Sequence, residues 1–379
     1  MTRLWIEHAY QVLAGDGTEI SGNVLSILTT EDQFVVAVIR GQGAGGSTNL
    51  TQQVTAGLAS GTPMDGVVAD VLAALPAGEH VAAALLRIGC DGRAELAEID
   101  APPLFMARHG DFVLLPVAEE ELAGRLVRRC DFTVQAGDHL ALVSEGYIRA
   151  RGGARPWSWR DVALSIRRLT STGCDAEQLA GALVRLANQQ ISKSANQQIS
   201  EPAFRILALF VRPMRTAAVW SGPPAERQRD REALARLLAE EGVRIICGDT
   251  TAEIAARLLG ARLVMAPRPV EGWTEVPPTS HLTGTAERLD LITEGAVTLG
   301  VARGRLAEAR QPRDLAGRTD GASRLAKLLL EADKITFVEG QAVNPAQRAA
   351  DGAPLRRAAV AALVEVLKAR GKIVAVERF

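Results

Sequence analysis

The stretch Phe34 to Asn49, FVVAVIRGQGAGGSTN, is an apolar strand that breaks into a loop carrying four glycines. The last residue of such a strand is held rigidly while glycines let the backbone turn sharply, so the side chain at the hinge is aimed at whatever the loop encloses. Here that side chain is the guanidinium of Arg40. A dinucleotide loop is also glycine-rich, but no acidic residue at the end of a following strand completes that fingerprint.

Around this stretch the apolar residues recur with a period near two. Leu4 to Val12 alternates, Val24 to Thr30 and Phe34 to Ile39 predict a hairpin across Thr30-Glu31-Asp32-Gln33, and Val81 to Ile88 with Ala94 to Ile99 predict another about CDGR. A third turns at His109-Gly110-Asp111. Spacings of three and four predict helices at Leu50 to Ala59, Pro63 to Leu75, Trp159 to Leu169 and Asp175 to Ala187; the sequence ANQQIS then occurs twice, as in a short loop duplication. Strands, two helices and more strands make a two-sheet sandwich flanked by helices, an α+β domain over residues 1–213.

From Thr216 to Phe379 strands and helices alternate. Strands are expected at Ala217 to Trp220, Val243 to Cys247, Ala261 to Met265, Lys334 to Val338 and Lys372 to Val376. Helices are expected at Asp230 to Glu240, Ala252 to Leu259, Ala286 to Leu299, Gly321 to Leu330 and Leu355 to Arg370. This is the pattern of an α/β Rossmann-like domain, residues 216–379, with about five strands and right-handed crossovers. Pro267 to Gly284, with four prolines, reads as a lid or an inserted connection. Gly295 falls inside the helix expected at Ala286 to Leu299, where glycine costs about 1 kcal/mol relative to alanine, so a break or a close backbone approach is expected there.

A chain of 379 residues is long enough for two domains that each bury a core. With 43 Lys plus Arg against 44 Asp plus Glu, no global field favours nucleic acid or an anionic membrane. Cys90, Cys130, Cys174 and Cys247 are widely separated and have no histidines at ligand spacing, so neither zinc nor a disulfide framework is indicated. No apolar run reaches the length of a membrane span and Glu7 and His8 interrupt any signal core, so the expectation is a cytoplasmic protein. The five histidines, His139 in a turn pair with Asp138 among them, read as surface or turn residues.

Four segments resemble the stage II sporulation protein E branch of the PP2C-type, metal-dependent serine/threonine phosphatases. They are GTEISGN (Gly17 to Asn23), VVAVIRGQGAGG, GDHLALVSEGYI (Gly137 to Ile148) and EPAFRILALFVRP (Glu201 to Pro213). The resemblance implies the same sandwich, and a pair of manganese or magnesium ions held by aspartates from these segments to activate water. At the matching positions this chain has Asn23, Arg40, Glu145 and the pair Glu201 and Pro202, with Glu19 the one matching carboxylate of its motif. Two hard divalent ions need several charged oxygen ligands, and a guanidinium adds a further positive charge. Gly222-Pro223-Pro224, Cys247 to Thr251 and Ile292 to Gly295 resemble the second domain attached to some members of that family.

The functional expectation is therefore a pseudophosphatase, a phosphatase-like regulatory protein that binds a protein partner in bacterial signalling without hydrolysis and without a resident cofactor. Arg40, with Gly41 and Gly43 beside it, either holds a phosphoserine or phosphothreonine bidentately or acts as a strut paired with Glu145 or Glu201. The alternatives are an active phosphatase using manganese or magnesium on Glu19, Glu145 and Glu201, and a small-molecule or nucleotide sensor acting through the second domain. In that domain the GDTT loop opens a helix, so Thr250 and Thr251 either bind a small anion or cap their helix; with the Thr293 to Gly295 and Asn344-Pro345 loops they form one candidate pocket.

Overall fold

In the computed structural model, which describes residues 2–13, 23–40, 44–74, 82–149, 158–191, 204–266, 276–342 and 355–379, the chain divides into two units, Met1–Pro213 and Met214–Phe379. The first unit begins with β1 (Leu4–Leu13), β2 (Asn23–Thr29), β3 (Gln33–Arg40), α1 (Ala44–Ala59) and α2 (Met64–Ala74). Next come β4 (Ala82–Gly89), β5 (Arg93–Ile99), β6 (Phe105–Arg108), β7 (Asp111–Val113), β8 (Ala118–Leu122), β9 (Arg125–Thr133) and β10 (His139–Val143). Helices α3 (Glu145–Arg149), α4 (Trp159–Thr170) and α5 (Ala176–Ile191) precede β11 (Phe204–Pro213).

These strands build two antiparallel sheets, ordered β1-β11-β10-β6-β7 and β2-β3-β4-β5-β9-β8. Phe34, Val36, Leu86 and Leu96 of one sheet join Ile6, Met106, Leu140 and Leu207 of the other in one buried cluster. The alternate residues Val35, Ala37 and Ile39 pack against Val54 and Leu58 of α1 and Val68 of α2. On the far side Phe105, Ala141 and Ile206 meet Ile166 of α4 and Leu183 of α5. The layers therefore run helix, sheet, sheet, helix, and β3 is apolar from Phe34 to Ile39 because both of its faces are covered.

Several local expectations need correction. Helix α1 starts at Ala44, inside the glycine run, and not at Leu50. Packing of Val54 and Leu58, and the hydrogen bond at 2.9 Å between the Ser26 and Thr55 hydroxyls, outweigh the weak helix propensity of glycine. Helix α5 runs through Ile191, beyond Ala187, and the second ANQQIS copy lies outside the described residues. Strands β8 and β9 carry no alternating signal because their charges are paired across the sheet: Arg128 with Glu98 at 2.9 Å, and Arg129 with Glu120 at 3.1 Å. His139 is no turn residue; it opens β10, is 5% exposed, bonds the Cys174 carbonyl at 2.7 Å and stacks on Phe210.

The second unit contains β12 (Thr216–Ser221), α6 (Asp230–Leu238), β13 (Val243–Cys247), α7 (Asp249–Leu259), β14 (Arg262–Met265) and β15 (Ser280–Thr283). It continues with β16 (Leu291–Thr293), α8 (Ala296–Glu308), α9 (Gly321–Glu331), β17 (Lys334–Glu339), α10 (Leu355–Ala369) and β18 (Ile373–Arg378). The sheet has seven strands, more than expected, ordered β14-β15-β16-β13-β12-β17-β18. The five from β16 to β18 are parallel, while β14 and β15 form an antiparallel edge. Leu299, Leu325 and Leu363 of α8, α9 and α10 enter one core, and Leu237 and Ala255 of α6 and α7 enter the other, so helices cover both faces.

The helix expected at Ala286 to Leu299 is wrong in its first half. Leu291 and Ile292, each 2% exposed, belong to β16 and pair in parallel with β13, and α8 begins only at Ala296. Gly295 sits at the break between them, the break expected there, and a Cβ on it would make only ordinary contact with the Gly248 Cα at 3.6 Å. Part of the proline-rich stretch forms β15, and residues 267–275 are outside the described set. Among the described residues no helix is long and apolar enough to cross a membrane.

Candidate functional site

Arg40 ends β3 in one sheet of the first unit, and Glu145 starts α3 directly after β10 in the other. The Arg40 Nη1 to Glu145 Oε2 distance is 3.8 Å, with the side chains 44% and 48% exposed. The ion pair thus spans the gap between the sheets at the end of a cavity of about 320 Å³, lined also by Tyr10, Arg128, Ser144, Trp159 and Arg205. Backbone register sets Asn23 opposite Arg40.

Arg205 enters this cavity because β10 and β11 remain paired past Val143. The Ser144 amide donates to the Arg205 carbonyl at 3.0 Å, and the Arg205 amide donates to the Ser144 hydroxyl at 3.0 Å. The side chain is 7% exposed. Burial holds the Arg205 pKa below the ordinary value and the Arg40 charge lowers it further, while the Tyr10 hydroxyl, to which it is hydrogen-bonded, opposes both. Two guanidiniums therefore line one cavity although the Arg40 charge disfavours the charged form of Arg205, an arrangement that an anion between them would relieve.

Behind the cavity lies Glu98, 1% exposed. Its Oε1 accepts from the Leu104 amide at 2.6 Å and its Oε2 lies 2.9 Å from Arg128. Burial pushes the Glu98 carboxyl up to about 7 despite the Arg128 charge and those hydrogen bonds. Arg128 is thus anchored by a carboxyl that titrates near neutrality.

The described residues of this cavity do not fit a pair of divalent cations. Arg40 and Arg205 bring positive charge to the space, Glu145 faces Arg40, and among the described residues no three His, Cys, Asp or Glu side chains gather as ligands. Glu19, Gly41, Gly43, Glu201 and Pro202 lie outside the described residues. Thr250 and Thr251 stand in the first turn of α7 in the second unit, and neither caps that helix: Gly248 is the N-cap and no side chain bonds there. The GDTT and TEG loops do meet, the Gly248 amide donating to the Thr293 carbonyl at 2.9 Å, whereas Asn344 and Pro345 are outside the described set. Tyr10, Glu98, Arg128 and Arg205 escape sequence reasoning; the available signal was a lone arginine inside the apolar run FRILALFV.

No protein-family model matches the sequence, and no curated protein matches it. Solved structures do. The phosphatase domain of the cell fate determinant SpoIIE from Bacillus subtilis aligns over 56% of this chain and 95% of its own, at 16% identity and a TM-score of 0.41. The RsbU and RsbW domains of Rv1364c from Mycobacterium tuberculosis align over 67% of this chain and 70% of theirs, at 16% identity and a TM-score of 0.42. The catalytic domain of the serine/threonine phosphatase PstP, solved with two manganese ions, aligns over 55% of this chain and 99% of its own, at 17% identity and a TM-score of 0.34. Over about half of its length, the chain is similar to PP2C-type phosphatase domains of the SpoIIE and RsbU kind.

Proposed function

We propose that the first unit is a phosphatase-like regulatory module that holds a phosphorylated segment of a protein partner without hydrolysing it. The observation that carries this reading is the pair of guanidiniums, Arg40 and Arg205, lining one cavity, with Arg40 at a position where the resemblance implies a metal ligand. A planar guanidinium offers two parallel donors to a phosphate, and a site without activated water keeps what it binds. The strut reading of Arg40 is weaker on magnitude. A pair at 3.8 Å with both side chains nearly half exposed contributes at most about 1 kcal/mol.

A protein partner is supported by the surface beside the cavity. A groove of about 700 Å³ lies between β7 and α4, lined by Phe112, Leu114, Val117 and Leu164 with Arg160 and Arg167. Leu114 is 85% exposed there and Leu164 is 50% exposed. Contiguous exposed apolar residues on such a surface mark an interaction site. The second unit we read as Rossmann-like, a reading supported by its parallel strand order, third-second-first-fourth-fifth in chain sequence.

The experiment is a calorimetric titration of manganese into the full chain, with phosphoester turnover followed in the same buffer and an Asn23→Asp, Arg40→Asp double variant alongside. The expected result is no turnover by the unaltered chain and metal binding gained by the variant. Metal-dependent turnover by the unaltered chain overturns the proposal and makes Glu19, Glu145 and Glu201 the ligands of a working site.

A further inference from the structure

The carboxyl end of the second unit's sheet holds hydrogen-bonding groups that lack partners. Thr293, Cys247, Ser221 and Glu339 are in register across β16, β13, β12 and β17, forming a row in which every residue is at most 3% exposed. Most of the row is answered. The Thr293 hydroxyl bonds the Glu294 carbonyl at 2.9 Å and Cys247 Sγ at 3.5 Å, and Glu339 faces Arg378 at 3.4 Å and accepts from the Gln341 amide at 3.2 Å.

Ser221 is the exception, since its buried hydroxyl has no partner. Two more orphans stand on the segments beside the neighbouring strand ends. The Thr251 hydroxyl, on a side chain 0% exposed, is unpartnered and lies 3.1 Å from the point where a side chain on Gly248 would begin, so it is directed back at the start of α7. Arg356, at the start of α10, donates through Nη2 to the carbonyls of Gly340 at 2.8 Å and Ala342 at 3.1 Å, while its Nε is buried without an acceptor. That guanidinium lies so close to Gly222, the residue after Ser221, that a Cβ there would collide with it.

Ser221 ends β12, Thr251 stands in the helix that follows β13 and Arg356 bonds the residue that follows β17, so the three orphans belong to the carboxyl ends of strands on both sides of the point, between β12 and β17, where the chain reverses its progress across the sheet. Ligands of doubly wound sheets lie outside the carboxyl ends of the strands at such a point. Adjacent strands are about 4.8 Å apart, so Ser221 and the residues just beyond Cys247 belong to one locality. Helix α7 adds a positive dipole end whose first-turn amides receive no capping side chain. The Arg356 Nε lacks an acceptor and the two hydroxyls can each donate to one, a set that the oxygens of a phosphoryl group would satisfy together beside a guanidinium that Glu339 already partly neutralises. Asp249, exposed in the same turn, lowers the affinity without removing the donors.

We propose that this crevice binds the phosphoryl group of a small anionic ligand, held by Arg356, Ser221, Thr251 and the amino end of α7. The site is separate from the cavity of the first unit and makes the second unit the ligand-sensing part of the chain.

The test is calorimetric titration of inorganic phosphate into the full-length protein and its variants. Saturable binding is expected to persist in Arg40→Gln, a background that removes the anion site of the first unit; in that background it is weakened at least tenfold by Arg356→Gln and several-fold by Thr251→Val and by Ser221→Ala. Because Arg356 also holds two backbone carbonyls, its loss can disturb the loops; the hydroxyl deletions break no described hydrogen bond and keep the test decisive in protein shown to be folded by circular dichroism. Absence of binding overturns the proposal. So does unaltered affinity in folded Thr251→Val and Ser221→Ala, and so does binding that Arg40→Gln abolishes while Arg356→Gln leaves it intact, which assigns the phosphate to the first unit.

Discussion

Glu98 shows how one side chain couples pH to stability in this protein. Unfolded, it titrates near the ordinary 4.5; folded, it does so at about 7, because burial outweighs Arg128 and the Leu104 amide. Between those values the folded chain holds a proton that the unfolded chain has lost, so the contribution is fully present below about 4.5 and is lost as pH rises through about 7. The shift corresponds to about 3 kcal/mol. We predict that Glu98→Gln flattens the stability profile: urea denaturation at pH 5 and pH 8 shows the unaltered chain losing about 2 to 3 kcal/mol more than the variant. Equal slopes would mean that the carboxyl stays ionised throughout. Arg40 supplies the opposite case. Its half-exposed pair with Glu145 makes Arg40→Gln cost less than about 1 kcal/mol, so a thermal midpoint within a few degrees of the unaltered chain is expected; a large drop would restore the strut reading.

Elements of this chain were legible where periodicity and burial agree. The hairpin at Thr30 to Gln33 closes with a bond of 2.8 Å from the Thr30 amide to the Gln33 carbonyl, and β13 has the bounds read from its apolar run. Legibility failed where tertiary contacts decide. β16 is three residues long and became a strand only because β13 offered it a parallel partner, and β8, edge-placed and mostly charged, has no apolar face to announce it. The site divides the same way: Arg40 and Glu145 are visible through motif resemblance, but Arg205 and Glu98 gain meaning only when strands distant in sequence pair. The CDGR turn between β4 and β5 gives a prediction at this scale. Gly92 has φ of 90° and an added Cβ there would strike the Val134 carbonyl, whose own amide bonds the Gly92 carbonyl at 2.8 Å. Gly92→Ala therefore combines left-handed strain with a backbone clash and is expected to destabilise by about 2 to 4 kcal/mol in chemical denaturation. A change below about 1 kcal/mol would show that the turn relaxes freely.

At the scale of the molecule, the described hydrophobic clusters each draw on one unit alone. Three lie within Met1–Pro213 and two within Met214–Phe379. In the second unit the parallel strands are covered on both faces, Trp220 is 0% exposed, and two separate cores flank the sheet. A chain segment that buries its own cores and pairs its own strands has what independent folding requires, and its parallel crossovers make that folding slow. Expression of residues 214–379 alone is therefore expected to give a protein with helical and strand circular dichroism, a single cooperative denaturant transition and folding slower than that of a helical bundle of similar size. A fragment with secondary structure but no cooperative transition would mean that the first unit supplies part of its stability, and phosphate binding could then be measured only in the full chain. A cooperatively folded fragment instead lets the Arg356 crevice be titrated in the absence of the Arg40 and Arg205 cavity, which separates the two anion sites physically as well as by mutation.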